Sequence, residues 1–278
     1  MTQRFEGKVA LVSGAARGQG RSHAIALAQG GADIIAFDIC APVRAQGAPS
    51  SNEDDLRETV RLVESLGRKI ITTSADVTDY PAVKAFVDQA VIELGRLDIV
   101  VANAGINGPG VKIADTDPSD WMAVINTNLT GIFNTVHAAI PAIMQGGIGG
   151  SIIMIASSLA LRPAAHFGAY ASSKHGVVGL MRVLALELGE HSIRVNTVHP
   201  TGVDTDLLVN EYTFKLFRPD LENPTLEDAM PSYYGLNVLP IPWVEARDVS
   251  AVVTFLASDE ARYITGSMIP VDAGMSLK

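Results

Sequence analysis

Residues 8–38 constrain this chain more than any other stretch. Lys8-Val9-Ala10-Leu11-Val12 is a short β-rich run, Ser13 to Gly20 is a glycine-rich turn, and an Ala/Leu-rich helical stretch runs on to Gln29. A second apolar run from Asp33 then closes on Asp38. Strand, glycine turn, helix and strand in that order call for two parallel strands joined by a crossover helix. Gly14, Gly18 and Gly20 would gather backbone N–H groups at a helix N-terminus, where a pyrophosphate is favoured, and Arg17 and Gln19 stand among them. Glycine serves where a side chain would block the turn or a ligand. The spacing is Gly-x-x-x-Gly-x-Gly, and on its own it is only a tight turn. The acid that ends the second strand changes its meaning. Asp38, with Ile39 beside it, lies eighteen residues beyond Gly20. It can accept hydrogen bonds from the adenosine ribose hydroxyls and would repel a 2′-phosphate. We therefore expect NAD and not NADP. Arg17 points the other way, since a basic residue could meet that phosphate, but the Asp38 charge conflicts with it directly.

The alternation continues along the chain. The pattern predicts helices over about 53–66, 81–94, 118–144 and 169–188, and strands over about 69–74, 97–102, 151–156, 194–198 and 268–271. Alternating strands and helices argue for α/β architecture, a doubly wound parallel sheet of about seven strands with helices on both faces. The 278 residues suit one domain, 1–278. Ligands of such sheets sit outside the carboxyl ends of the strands. Asn103-Ala104-Gly105 falls at one of those ends.

Chemistry enters with Tyr170 and Lys174, four residues apart, and with Ser157, thirteen residues before Tyr170. Lysine at i+4 on a helix shares the tyrosine's face. Its charge would lower the phenol pKa, so that Tyr170 can take a proton from an alcohol or return it to a ketone. Ser157 would hold the substrate oxygen and stabilise developing charge. Ser158 is its rival, because successive strand residues face opposite ways and only one can point at the site. Asn128, in mid-helix, reads from its type alone as a polar residue satisfied by its own helix.

These residues together resemble the short-chain dehydrogenase/reductase family, a Rossmann-type fold, from about residue 6 to about residue 276. The resemblance rests on Ser13 to Gly20, Asp76-Val77, Asn103-Ala104-Gly105, Asn128 in Asn-Leu-Thr-Gly, Ser157, Tyr170/Lys174 and Pro200-Thr201-Gly202. It departs in Ser13, where threonine is usual, and in Ala102, where a first asparagine is common. It implies that Asp76 and Val77 touch the adenine, that Lys174 holds the nicotinamide ribose, and that the Asn128 carbonyl holds a water leading from Lys174 to solvent. Val203 and Thr205, after Pro200-Thr201-Gly202, would meet the nicotinamide amide and phosphates. Homotetramers are implied too, with the long helices 118–144 and 169–188 packed across an interface and 269–274 as a further contact. Residues 14–23 and 36–40 resemble the carveol-dehydrogenase-type, mycofactocin-associated branch. That branch carries an insertion after the second strand. Here it would be Cys40 to Asn52, which composition alone reads as a surface loop. The branch implies that it folds over the adenosine half of tightly held NAD, with electrons leaving through an external redox carrier.

The stretch 203–243 reads as a substrate lid. Leu207, Leu208, Tyr212, Phe214, Leu216, Phe217, Met230, Tyr233, Tyr234 and Trp243 would suit a hydrophobic, alicyclic or terpenoid-like secondary alcohol or its ketone. His166 and Phe167 are further candidates for the pocket wall. A formal net charge of −9 argues against nonspecific nucleic-acid binding. The single cysteine, Cys40, excludes an intrachain disulfide. The chain has no apolar run of membrane-spanning length, no signal-peptide pattern and no metal-ligand cluster, so a cytoplasmic, metal-free enzyme is expected. Two other readings fit the same fold: an NADP-linked ketone reductase of another substrate class, and a non-catalytic NAD-binding sensor.

Overall fold

The computed structural model describes residues 4–45 and 47–278. Seven strands form one sheet, ordered β3-β2-β1-β4-β5-β6-β7 and parallel throughout. They are β1 Val9–Ser13, β2 Asp33–Asp38, β3 Ile70–Ser74, β4 Ile99–Ala102, β5 Gly150–Ile155, β6 Ile193–Pro200 and β7 Met268–Val271. The chain builds outward from β1 through β2 to β3, then crosses back to place β4 on the other side of β1. That reversal opens a crevice at the carboxyl ends of β1 and β4, where ligands of such sheets bind.

The helices are α1 Gly18–Gln29, α2 Glu53–Glu64, α3 Tyr80–Leu94, α4 Pro118–Ile125, α5 Gly131–Gly146, α6 Gly168–Leu188, α7 Glu211–Phe217, α8 Leu226–Leu236 and α9 Ala246–Ala257. They cover the sheet in two layers, and strand alternation decides which residue serves which layer. Leu11, Ile35, Phe37 and Val100 pack with Val87 of α3, Ile132 and Val136 of α5 and Met181 of α6. Ala10, Val12, Ile34 and Val101 pack on the other face with Leu27 of α1 and Val253 of α9. Burial on both faces explains why these strands read as continuous apolar runs. Each fully buried Leu or Ile contributes about 1.5–3 kcal/mol relative to exposure.

Two segments differ from the pattern read in the sequence. The helix expected over 118–144 is interrupted by a π-helical turn at Asn126–Thr130, which separates α4 from α5 and contains Asn128. The stretch 206–243 holds two helices, α7 and α8. Both carry side-chain caps, Asn210 accepting from Thr213 N and Thr225 from Asp228 N, and these signals were present in the sequence.

Candidate active site

The crevice is lined by Gly14, Arg17, Gly18, Gln19 and Gly20 on one side, and by Asp38, Ile39, Asp76 and Val77 at one end. Asn103, Ala104 and Gly105 form its floor, and Tyr170, Lys174 and Thr205 its other end. Sterics force glycine on the first wall. A Cβ on Gly20 would lie 1.9 Å from the Gly14 carbonyl oxygen, and one on Gly14 would lie 2.8 Å from Ala104 Cα. Gly14 and Gly18 also adopt positive φ, 67° and 54°. The Ser13 hydroxyl accepts from Asn103 N at 3.0 Å, and the Asn103 amide donates back to the Ser13 carbonyl at 3.0 Å, so β1 and β4 are tied at the crevice floor.

This wall suits a pyrophosphate. Arg17 is the N-cap of α1 and makes no side-chain cap bond, which leaves the first N–H groups of the helix turned toward the crevice. The buried Gln19 Oε1 has no hydrogen-bond partner among the described residues. Arg17 itself is engaged elsewhere, in an ion pair with Asp206 at 3.0 Å and a hydrogen bond to the Pro49 carbonyl.

Asp38 is buried and well bonded. Its Oδ1 accepts from the Ser51 hydroxyl at 2.6 Å and from Cys40 N at 3.2 Å, and its Oδ2 from Ala16 N at 3.0 Å. Ser51 belongs to the segment 40–52, which is anchored at several points. Ala45 O accepts from Gly108 N at 3.0 Å, and Arg44 pairs with Asp117 at 3.4 Å and Asp120 at 2.5 Å. Val43 and Ala45 pack on the cluster of Ile106, Val124 and Ala169, on which Trp121 and Tyr170 also pack, so the segment shares that cluster with the tyrosine as well as binding Asp38. Gln46 lies outside the described residues. Burial, followed by the Asp38 charge, pushes the Cys40 thiol up to about 11.

Tyr170, Lys174 and Ser157 meet at the far end. Lys174 is 3% exposed and donates to the Ile155 carbonyl at 2.9 Å, with its Nζ 5.6 Å from the centre of the Tyr170 ring. Burial alone pushes its pKa down to about 8. Burial likewise holds the Tyr170 phenol above its ordinary value, opposed by a hydrogen bond from Ser157. The sequence led us to expect a phenol lowered by Lys174. Here desolvation dominates, because it disfavours the charged form of both groups, and what opposes it at Tyr170 is the Ser157 hydrogen bond.

The two serines part company. Ser157 turns toward Tyr170 and also accepts from Leu159 N at 3.1 Å, while the Ser158 hydroxyl donates to Met275 Sδ at 3.1 Å. Asn128 is not satisfied by its own helix. Its amide exchanges two 2.8 Å hydrogen bonds with the backbone of Ile106, pinning the loop after β4. A Cβ on Gly105 would lie 3.3 Å from Asn128 Oδ1 and 3.5 Å from Lys174 Nζ, which measures how closely the three meet.

Other sequence candidates lie apart from the crevice lining. Thr201 bonds to Asn237 and Met275, Val203 is in the core, and neither Pro200 nor Gly202 borders the crevice. Of the apolar residues in 206–243, Leu207 lines it. Phe217, Tyr233 and Trp243 stack edge to face and form a core of their own. His166 is exposed, with φ of 72°. Val43, Ser51, Ile106 and Thr127 line the crevice without having been singled out in the sequence. Nothing in their type marks them, and only the folding of the segment 40–52 brings the first two there. Among the described residues no cluster of His, Cys, Asp and Glu could hold a metal ion, and no helix is long and apolar enough to cross a membrane.

A family model described as enoyl-(acyl carrier protein) reductase matches residues 14–276. A short-chain type dehydrogenase/reductase of Mycolicibacterium smegmatis is 55% identical over 279 residues, covering 100% of both chains. The chain belongs to the short-chain dehydrogenase/reductase family. Within it, the (-)-trans-carveol dehydrogenase of Rhodococcus erythropolis is 52% identical over 275 residues, 99% of each chain. The crystal structure of carveol dehydrogenase from Mycobacterium avium in complex with NAD superposes with a TM-score of 0.97 at 52% identity, covering 99% of each chain.

Proposed function

We propose that this chain is an NAD-dependent alcohol dehydrogenase or ketoreductase acting on a hydrophobic, alicyclic or terpenoid-like secondary alcohol and its ketone. The observation that carries the reading is the meeting of Ser157, Tyr170 and Lys174 at the end of a crevice whose opposite wall suits a dinucleotide. The name of the Rhodococcus relative supports the alicyclic substrate class. NAD, when bound, supplies the two-electron acceptor or donor and, in its oxidised form, a positive charge that favours the phenolate.

The chain's own residues do the rest. Tyr170 accepts the alcohol proton, or donates it to the ketone oxygen in the reverse direction. Ser157 donates to that oxygen and balances its charge. Lys174, held by the Ile155 carbonyl, stabilises the phenolate and would hold the nicotinamide ribose. Asn128 fixes the Ile106 loop beside Lys174, and its backbone carbonyl, within the π turn, would hold a water. Asp38 would take the adenosine ribose and disfavour NADPH. Asp76 and Val77 would hold the adenine, and Gly14, Gly18, Gln19 and Gly20 the pyrophosphate. Thr205 would join them at the nicotinamide.

The anchored segment 40–52 supports tight retention of NAD, and with it an external redox carrier of the mycofactocin type. Exposed Phe133 on α5 and Val183 and Leu186 on α6 support packing of these helices across a homotetramer interface. The test is Tyr170→Phe. We expect turnover of an alicyclic alcohol to fall at least about 1,000-fold, in line with loss of an essential proton-transfer group, while NAD still binds. Turnover retained by that variant would end the reading.

A further inference from the structure

His199, the residue before Pro200, is fully buried on β6. Both ring nitrogens are engaged: Nδ1 lies 2.9 Å from the Ser157 carbonyl oxygen and Nε2 lies 2.8 Å from Thr197 Oγ1. A carbonyl can only accept, so the partners assign the proton to Nδ1. Nε2 then accepts from the Thr197 hydroxyl. Burial favours the neutral ring.

The placement matters because backbone pairing between β5 and β6 runs out here. The register ends at Ile155 opposite Val198, and Ala156 N donates to the Val198 carbonyl at 2.8 Å. The imidazole supplies the next link from β6, to Ser157. The Ser157 carbonyl accepts from Ala160 N at 3.0 Å as well, so two donors fix the peptide from opposite strands of the turn. The Ser157 side chain is then aimed by a third bond, from Leu159 N. We propose that His199 is a positioning residue, which holds the Ser157 peptide so that the Ser157 hydroxyl faces Tyr170 and the substrate oxygen. The inference rests on the role given to Ser157 above.

The alternative is that His199 only fills space between β6 and the turn. Reach separates the two. An asparagine amide nitrogen stands at the position of Nδ1, and a glutamine amide nitrogen stands one bond further out. We would compare His199→Asn, His199→Gln and His199→Leu with Ser157→Ala, measuring kcat, KM, melting temperature and NAD affinity by tryptophan fluorescence. A misplaced hydroxyl should lower kcat by about 100-fold in the Gln and Leu variants, with NAD affinity unchanged and His199→Asn within about threefold of wild type. Wild-type kcat in His199→Leu, or an equal loss in Asn and Gln, would overturn the inference. Should His199→Leu fail to fold, Thr197→Val keeps the ring and its Nδ1 donor but removes the hydroxyl that steadies the ring at Nε2. It should lower kcat about threefold without changing NAD affinity, and an unchanged kcat counts against the proposal. Ser157→Ala distinguishes the levels. If it is inactive while His199→Leu is fully active, only the present inference fails. If it remains active, the function proposed above fails with it.

Discussion

The two walls of the crevice are built on different principles. The wall of Gly14, Gly18 and Gly20 is backbone, closed so tightly that side chains have no room. The facing wall is made of the segment 40–52 and residues 205–207, backed by α7 and the loop after β4, and side chains hold it. Ser51 binds Asp38, Tyr212 binds the Gly108 carbonyl at 3.1 Å, Arg44 pairs with Asp117 and Asp120, and Gly47 lies under the Tyr212 ring. Arg17 crosses from the first wall to the second through Asp206 and Pro49. A steric wall either stands or fails. A wall of separate contacts, each contributing about 0.5–1.5 kcal/mol, can open locally while the domain stays folded. The difference predicts that the first wall sets ligand shape and the second sets ligand exchange.

The sharpest way to break this comparison is Gly20→Ala. Its methyl would have to displace the Gly14 carbonyl and the Asn103 amide, 1.9 Å and 2.8 Å from the ideal Cβ. We expect NAD affinity to fall by about 100-fold or more, close to 3 kcal/mol. Gly179→Ala on α6, with nothing within 4 Å, is the control and should be neutral. Isothermal titration with NAD reads both. Normal affinity in Gly20→Ala would mean the first wall yields as easily as the second.

An effect of similar size, read on stability and not on affinity, is expected beneath the tyrosine. Lys174 gives up its proton near pH 8 in the folded chain and near 10.5 when unfolded. Below about pH 8 it is charged in both states, and the full cost of burying that charge is present. Between 8 and 10.5 the unfolded chain binds more protons, so stability rises with pH, and above 10.5 the cost is gone. Against Lys174→Met, the NAD-free wild type should therefore gain up to about 3 kcal/mol across that window and show a constant difference below it. Urea melts at a series of pH values measure this. A difference independent of pH would mean that the ammonium keeps its solvent.

The first wall was legible in the sequence because its determinants are local. Strand, glycine spacing, helix and Asp38 lie within one stretch of chain, and each acts through backbone geometry. Ser157, Tyr170 and Lys174 were legible for a similar reason, since helix periodicity and strand alternation set which way they face. The second wall was not. Cys40 to Asn52 reads as a surface loop because its apolar contacts, Val43 and Ala45, find their partners in Ile106, Val124 and Ala169 far along the chain. The apolar residues of 206–243 were visible as a cluster, yet periodicity could not say that Phe217, Tyr233 and Trp243 would turn on one another and leave Leu207 at the crevice. The phenol of Tyr170 is a third case. Spacing reveals the lysine beside it, whereas the desolvation that raises the phenol depends on residues packed around both from across the chain.

The smallest expected effect probes the second wall itself. Tyr212→Phe keeps the ring over Gly47 and removes only the hydroxyl that donates to the Gly108 carbonyl. Gly108 in turn donates to Ala45, so this hydroxyl links α7, the loop after β4 and the segment 40–52 in one chain of bonds. The bond is only partly buried, and losing it costs about 1 kcal/mol. If the second wall governs exchange, that cost falls on the closed state. NAD should then leave the purified enzyme about fivefold faster, with melting temperature and first-wall affinity for the pyrophosphate little changed. Stopped-flow displacement of bound NAD by an excess of a competing nucleotide measures the rate. An unchanged rate would move the barrier to exchange away from α7. It would turn attention to the Arg17 bridge to Asp206 and Pro49 and to the Ser51 bond to Asp38.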